Sequence, residues 1–141
     1  MACSVRAKRR HVSRKSLAAT GLKFLGVPYL WGGTTPKGFD CSGLVQRIYR
    51  LHGILLPRDS DQQAKFGEPK HVGRPELLET GDLLFFGKSE TQITHVAIYL
   101  SVNRFLHAHG QVRIGSLDSR HPLYDGKLAK DWKISRNPLS V

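Results

Sequence analysis

Cys41 follows Asp40 at the head of the segment CSGLVQRIYRLHG, where a thiol can become a nucleophile. Asp40 suits a helix N-cap, and Cys41, Leu44, Val45, Ile48 and Leu51 follow the i, i+3, i+4, i+7 spacing of one helical face. Gly53 is a stop signal just past the last periodic residue. The spacing thus predicts a helix with Cys41 in its first turn. Unpaired N–H groups there carry partial positive charge, so a thiolate is stabilised and the thiol pKa is expected to fall. The same pattern also suits a cysteine that is simply a small buried hydrophobe.

A cysteine nucleophile needs a base within hydrogen-bond reach, and the base needs an orienting partner. His95, His107 and His109 are available in the second half of the chain. In THVAIYLS, Val96, Ile98 and Leu100 alternate with His95, Ala97 and Tyr99, as in a β-strand. If Ser101 to Arg104 closes a hairpin, His95 and a histidine of the next strand become cross-strand neighbours, with Cβ atoms roughly 5 Å apart if directly opposite. Alternation puts His107 and His109 on the same face, so the orienting partner stays open between them. Three histidines and a cysteine could also hold zinc, but no short His/Cys ligand pair stands near Cys41 and no zinc spacing is present. No metal or cofactor is expected.

The elements that must position these groups follow in order. Ser13 to Leu25 reads as a helix capped by Ser13 or Ser16, with Leu17, Leu22 and Leu25 on one face. The Gly32-Gly33 loop precedes the Cys41 helix, and these glycines can take backbone angles other residues avoid. Pro57 to Gly67 is a short helix capped by Asp59 or Ser60, and His71 to Thr80 is a loop. Leu83 to Phe86 is a buried strand after a Gly81-Asp82 turn. Strands at Thr94–Ser101, Arg104–Ala108, Gln111–Ile114 and Trp132–Ser135 follow, with Asn103 in a tight turn and 118–130 loop-like. Helices first and strands after predict an α+β fold, with N-terminal helices packed on an antiparallel sheet.

The chain has 141 residues, enough for one domain, with a basic tail or linker remnant at 1–12 and the domain at 13–141. No apolar run could span a bilayer and no signal-peptide pattern opens the chain. Cys3 lies in the predicted tail, so a disulfide to Cys41 is not expected. The net charge is +11, and six of the 22 basic residues fall between Arg6 and Lys15. Such charge attracts polyanions, including anionic wall polymers. No signature of a specific nucleic-acid reader is present.

PYLWGG, FDCSGLV, LPRDS, GDLLFF, THVAIYL and FLHAHG occur in that order. Together they resemble the NlpC family of papain-like cell-wall cysteine peptidases, over about Lys15 to Leu117. The resemblance implies a papain-like α+β fold and hydrolysis of peptidoglycan stem peptides without cofactor. Within the family, the wording is most similar to endopeptidases that cut between D-γ-glutamate and meso-diaminopimelate or lysine. It implies Cys41 as nucleophile, His95 as base and His107, rather than His109, as its orienter. It implies substrate or oxyanion roles for Tyr29, Asp40, Ser42 and Ser60, with Asp40 able to pair with the free amine of a stem peptide beginning with L-Ala. Asp40 and Ser60 serve equally as helix caps, and Tyr29 and Trp31 as core aromatics.

Members of this subgroup usually carry preceding SH3-like domains, which this sequence does not show. The expected place of action is the cell wall, if the domain belongs to a longer exported chain, or the cytoplasm, for recycled wall peptides. Alternatives are an N-acetylmuramoyl amidase or acyltransferase using the same site, or a non-catalytic module that binds anionic polymer.

Overall fold

The computed structural model describes residues 12–140. The N-terminal half supplies α1 (Arg14–Leu22), the short hairpin β1 (Thr34–Thr35) and β2 (Gly38–Phe39), α2 (Cys41–Arg50) and α3 (Ser60–Gln63). Next come β3 (Glu68–Lys70), a 3-10 turn (Pro75–Leu77), β4 (Leu83–Gly87), β5 (Ile93–Ser101), β6 (Arg104–His109), β7 (Gln111–Ser116), α4 (Gly126–Asp131) and β8 (Trp132–Asn137). Six strands form one antiparallel sheet in the order β3-β8-β4-β5-β6-β7. The chain is therefore α+β, as its helix-then-strand order predicts. Among the described residues no helix is long and apolar enough to cross a membrane.

The alternation in THVAIYLS sets the two faces of the sheet. Val96, Ile98 and Leu100 join Leu17, Leu44, Val45, Ile48 and Tyr49 in a core beneath α1 and α2. Ala97 and Tyr99 point the other way, into a second cluster with Leu84, Phe86, Phe105 and Trp132. Both faces of β4 and β5 are thus buried, which is why LLFF is a continuous apolar run rather than an alternating one. The turn from β5 to β6 places Val102 and Asn103 at φ 50° and 65°, the left-handed pair that matches the twist of a two-residue hairpin.

Several expectations are corrected. Helix α1 starts on its Ser13 cap but stops at Leu22, short of Leu25, and of the three leucines expected on its face only Leu17 is buried. Leu22 and Leu25 are exposed, because α1 needs only one narrow stripe against the sheet and its glycine, Gly21, allows close approach to Ile48 and Leu106. Leu51 is 56% exposed: it is the C-cap of α2, where the helix has run past the sheet. The N-cap of α3 is Asp59, with Gln62 reaching back to its N–H at 3.4 Å, so Ser60 is the first helical residue. Residues 118–130 are not all loop, since Asp125 caps α4 there, and α4 and Leu128 help cover the sheet's second face. Strands β1, β2 and β3 are too short and too polar to announce themselves.

The first described residues are tied to the fold. Val12 packs against the first core, and Arg14, counted in the basic cluster, is a structural residue. Its guanidinium meets Asp82 at 3.2 Å, Asn137 at 3.0 Å and the Thr80 carbonyl at 2.9 Å. Asp82 is fully buried and also pairs with Lys70 at 3.2 Å, so this network ties α1 to β4 and β8. Cys3 and the other residues of the proposed tail before Val12 lie outside the described residues.

Helix α2 is held mainly by burial, and truncation should show it. Ile48→Ala, removing a fully buried side chain, is expected to cost about 2–5 kcal/mol in urea unfolding. Leu51→Ala should stay within about 0.5 kcal/mol.

Candidate active site

The loop that delivers Cys41 is pressed onto α2. The Gly33 carbonyl accepts from the Asp40 N–H at 3.0 Å, and a side chain at Gly43 would collide with that carbonyl. Gly32 takes a φ of +76°, as its freedom allows. Gly33 does not take a positive φ; it is required instead because its Cα faces the Gly38 carbonyl. Asp40 then caps α2, accepting from the Gly43 N–H at 2.6 Å. Its capping leaves the N–H groups of Cys41 and Ser42 to face the thiol, at the positive end of the helix.

Cys41 is half-buried, with Sγ 4.0 Å from the Thr94 carbonyl on β5. The expected lowering of its pKa is not what the geometry produces. Burial pushes the Cys41 thiol up and the Asp40 carboxylate adds to this, against the N–H groups of Val96, Ser42 and Cys41 that favour the thiolate. The water lost by packing against β5 outweighs the helix terminus. The resting group is a thiol, not a preformed thiolate.

His95 and His107 are brought together. His95 Nε2 lies 2.8 Å from His107 Nδ1, with the ring planes at 78°. The contact is diagonal, not directly across. The β5–β6 ladder pairs Ile98 with Leu106 and Tyr99 with Phe105, and continuing that register sets His95 opposite His109. His107 is buried and packs edge-on to Phe105, while Phe86 lies beside His95. Burial holds His95 down to about 4, with the His109 charge adding to the effect and Asp125 opposing it. Burial likewise holds His107 down to about 3, helped by the charges of His95, His109 and Arg113. Both rings are neutral near pH 7, so one nitrogen of the pair donates and the other accepts.

The remaining sequence candidates divide. Asp40, Ser42 and Tyr29 gather around Cys41. Tyr29 is 40% exposed, not a core aromatic, and its phenol is raised first by burial and then by the charges of Cys41 and Asp40. Trp31 is 88% exposed, so it too is no core residue. The Ser42 hydroxyl lies 3.4 Å from Asp40 Oδ1. Ser60 makes no recorded side-chain hydrogen bond to any of these groups among the described residues.

Two participants escaped the sequence reading. Arg58 grips Asp40 with both arms, Nη1 to Oδ1 at 3.2 Å and Nη2 to Oδ2 at 2.7 Å, and donates to Ser42 Oγ at 2.9 Å. Gln63, fully buried on α3, donates to the Ser42 carbonyl at 3.1 Å and the Pro57 carbonyl at 2.9 Å. The only signal for Arg58 was a lone arginine in LPRDS, and a lone arginine is ordinarily a solvated charge.

Two pH responses follow. Alkylation of Cys41 by iodoacetamide should rise only on the alkaline side of an ordinary cysteine, and Asp40→Asn should move that rise to lower pH by removing the carboxylate and freeing Arg58. For the histidine pair, both folded-state values lie below the ordinary 6.5. The unfolded chain therefore binds protons that the folded chain refuses, and stability falls as pH drops from about 6.5 toward 4. In thermal melts across that window, His107→Asn should flatten the fall; an unchanged slope would contradict the neutral pair.

Comparison with known proteins identifies the family. The model of the NlpC/P60 family matches residues 26–130. The chain is 38% identical over 122 residues to dipeptidyl-peptidase 6 of Lysinibacillus sphaericus, spanning 84% of this chain and 42% of that protein. It is 42% identical over 97 residues to a gamma-D-glutamyl-L-lysine dipeptidyl-peptidase of Bacillus subtilis, spanning 67% of this chain and 31% of the relative. A crystal structure of an NlpC/P60 family protein from Bacillus cereus superposes with a TM-score of 0.78 at 36% identity, covering 91% of this chain and 41% of that one. The chain thus spans less than half the length of these relatives. With six ordered motifs, a matching family model over most of its length and the same fold, the chain belongs to the NlpC/P60 family.

Proposed function

We propose that this domain is a cysteine peptidase that hydrolyses peptidoglycan stem peptides between D-γ-glutamate and a diamino acid, meso-diaminopimelate or lysine. The observation that carries the reading is the meeting of two elements: the first turn of α2, bearing Cys41, lies against the β5 backbone at Thr94, one residue from His95, whose Nε2 is held by His107. The name of the Bacillus subtilis relative, a gamma-D-glutamyl-L-lysine dipeptidyl-peptidase, supports the choice of bond.

In this reading His107 occupies Nε2 of His95 and leaves Nδ1 free to act on the thiol. Because thiol and imidazole are both neutral at rest, the proton moves from Sγ to His95 as the sulfur attacks the amide carbonyl. His95 then carries N–H on both nitrogens and donates one to His107 Nδ1, which accepts without a charge of its own. The tetrahedral oxyanion is held by the Cys41 N–H, at the helix terminus, with the Tyr29 hydroxyl as the second donor. His95 passes its proton to the leaving amine of the diamino acid, and a water it deprotonates releases the acyl-enzyme. Asp40 recognises the free amine of the substrate's L-Ala. A carboxylate has about four acceptor positions, and among the described residues Oδ2 is met only by Arg58, so one position remains for an ammonium.

Incubation with L-Ala-γ-D-Glu-diaminopimelate, followed by mass spectrometry, tests the assignment. L-Ala-γ-D-Glu should appear, and Cys41→Ala should lower its rate by a factor on the order of 10⁴ or more. An N-acetylated substrate should lose much of its turnover if Asp40 binds the amine. A folded protein that leaves both this peptide and larger wall fragments intact would overturn the proposal, and release of the intact stem peptide from the glycan would identify an amidase instead.

A further inference from the structure

His109 is the solvent-exposed end of a row of three imidazoles. Its ring is parallel to that of His107, 3° between planes and 5.9 Å between centroids, and lies 6.4 Å from His95. The backbone there is closely specified. His109 pairs with Gln111 across a turn made by Gly110 at φ +72°, and the Gly110 carbonyl accepts from the Tyr29 N–H at 2.9 Å. The ring is therefore carried on a rigid hairpin end, yet it makes no recorded side-chain hydrogen bond among the described residues.

We propose that His109 is a positioning residue for the proton transfer between Cys41 and His95, permitting the transfer when neutral and holding it back when protonated. The inference rests on the peptidase reading above. When the thiol proton reaches His95, a positive charge appears on that ring and leans through the Nε2–Nδ1 hydrogen bond toward His107, to which the His109 ring lies parallel at 5.9 Å. A second positive charge within about one Debye length opposes the first. Other groups act on the same rings. Arg113 stands opposite His107 on β7, and Asp125 comes from the cap of α4. The Arg113 charge disfavours an imidazolium at His107 and the Asp125 charge favours one at His95, whereas the His109 charge disfavours it at both. Arg113 is positive throughout the working pH range, so His109 is the group among these that can switch the balance there.

Three forms of the protein test this on the wall tripeptide: wild type, His109→Gln and His109→Lys. The exposed position makes both variants easy to fold, which a thermal melt checks. In His109→Gln the acid limb of kcat/KM should move to lower pH by about one unit, the equivalent of a tenfold gain on that limb. His109→Lys, with a permanent charge, should lose up to about tenfold on the plateau, in kcat rather than KM. An unmoved acid limb in His109→Gln, or a wild-type plateau in His109→Lys, would overturn the role.

A second readout needs no turnover. In a pH titration followed by NMR, the ring protons of His95 and His107 should track the charging of His109 in wild type and lose that step in His109→Gln. Turnover without this coupling overturns the His109 role alone. Coupling without turnover of any wall peptide overturns the peptidase reading, and with it the proposed role.

Discussion

The contact between the first turn of α2 and strand β5 is the constraint on which the rest depends. It is a core contact before it is a chemical one. Leu44, Val45, Ile48 and Tyr49 are all fully buried, and each such side chain contributes about 1.5–3 kcal/mol through burial. That packing fixes the axis of α2, and the axis fixes where Cys41 must lie. The glycines at 33 and 43 let the preceding loop sit flush against the helix. A bulkier loop would lift the terminus away from β5 and separate sulfur from imidazole without touching either.

The same packing decides the electrostatics. Burial favours the neutral form of every group involved, so the thiol rises while both imidazoles fall. The result is a neutral pair, in which charge develops only as bonds change. Asp40 sits at the edge of this balance. One carboxylate caps the helix, anchors Arg58 and raises both Cys41 and Tyr29, so any change at Asp40 alters structure and charge together.

Much of this was legible in residues 27–117. The helix at Cys41 was readable because a strong cap, a periodic apolar face and a stop glycine agree. The strand at Thr94–Ser101 was readable because alternation is local and needs no knowledge of what covers each face. Leu22, Leu25 and Leu51 misled for the converse reason: periodicity says that residues share a face, but how far along the helix the partner surface extends is set by the sheet. Helix α4 was hidden in a polar stretch because one turn and a half of helix carries too few apolar positions to form a pattern.

The sequence by itself determined the candidate groups and the elements that bear them: a cysteine at a helix start, a histidine near the head of a strand, a second histidine on the next. These are local facts, set by capping, periodicity and the pleat. The choice between His107 and His109 followed from the family motif rather than from alternation, which gives both the same face. Only the tertiary structure decided the rest. It decided that β5 and β6 meet in a register giving His95 a diagonal partner in His107, that Arg58 crosses from a distant loop to Asp40, and that the thiol is held up rather than down. Register, long-range ion pairs and desolvation all depend on which surfaces meet, and a pattern along the chain carries no measure of the distance between two surfaces.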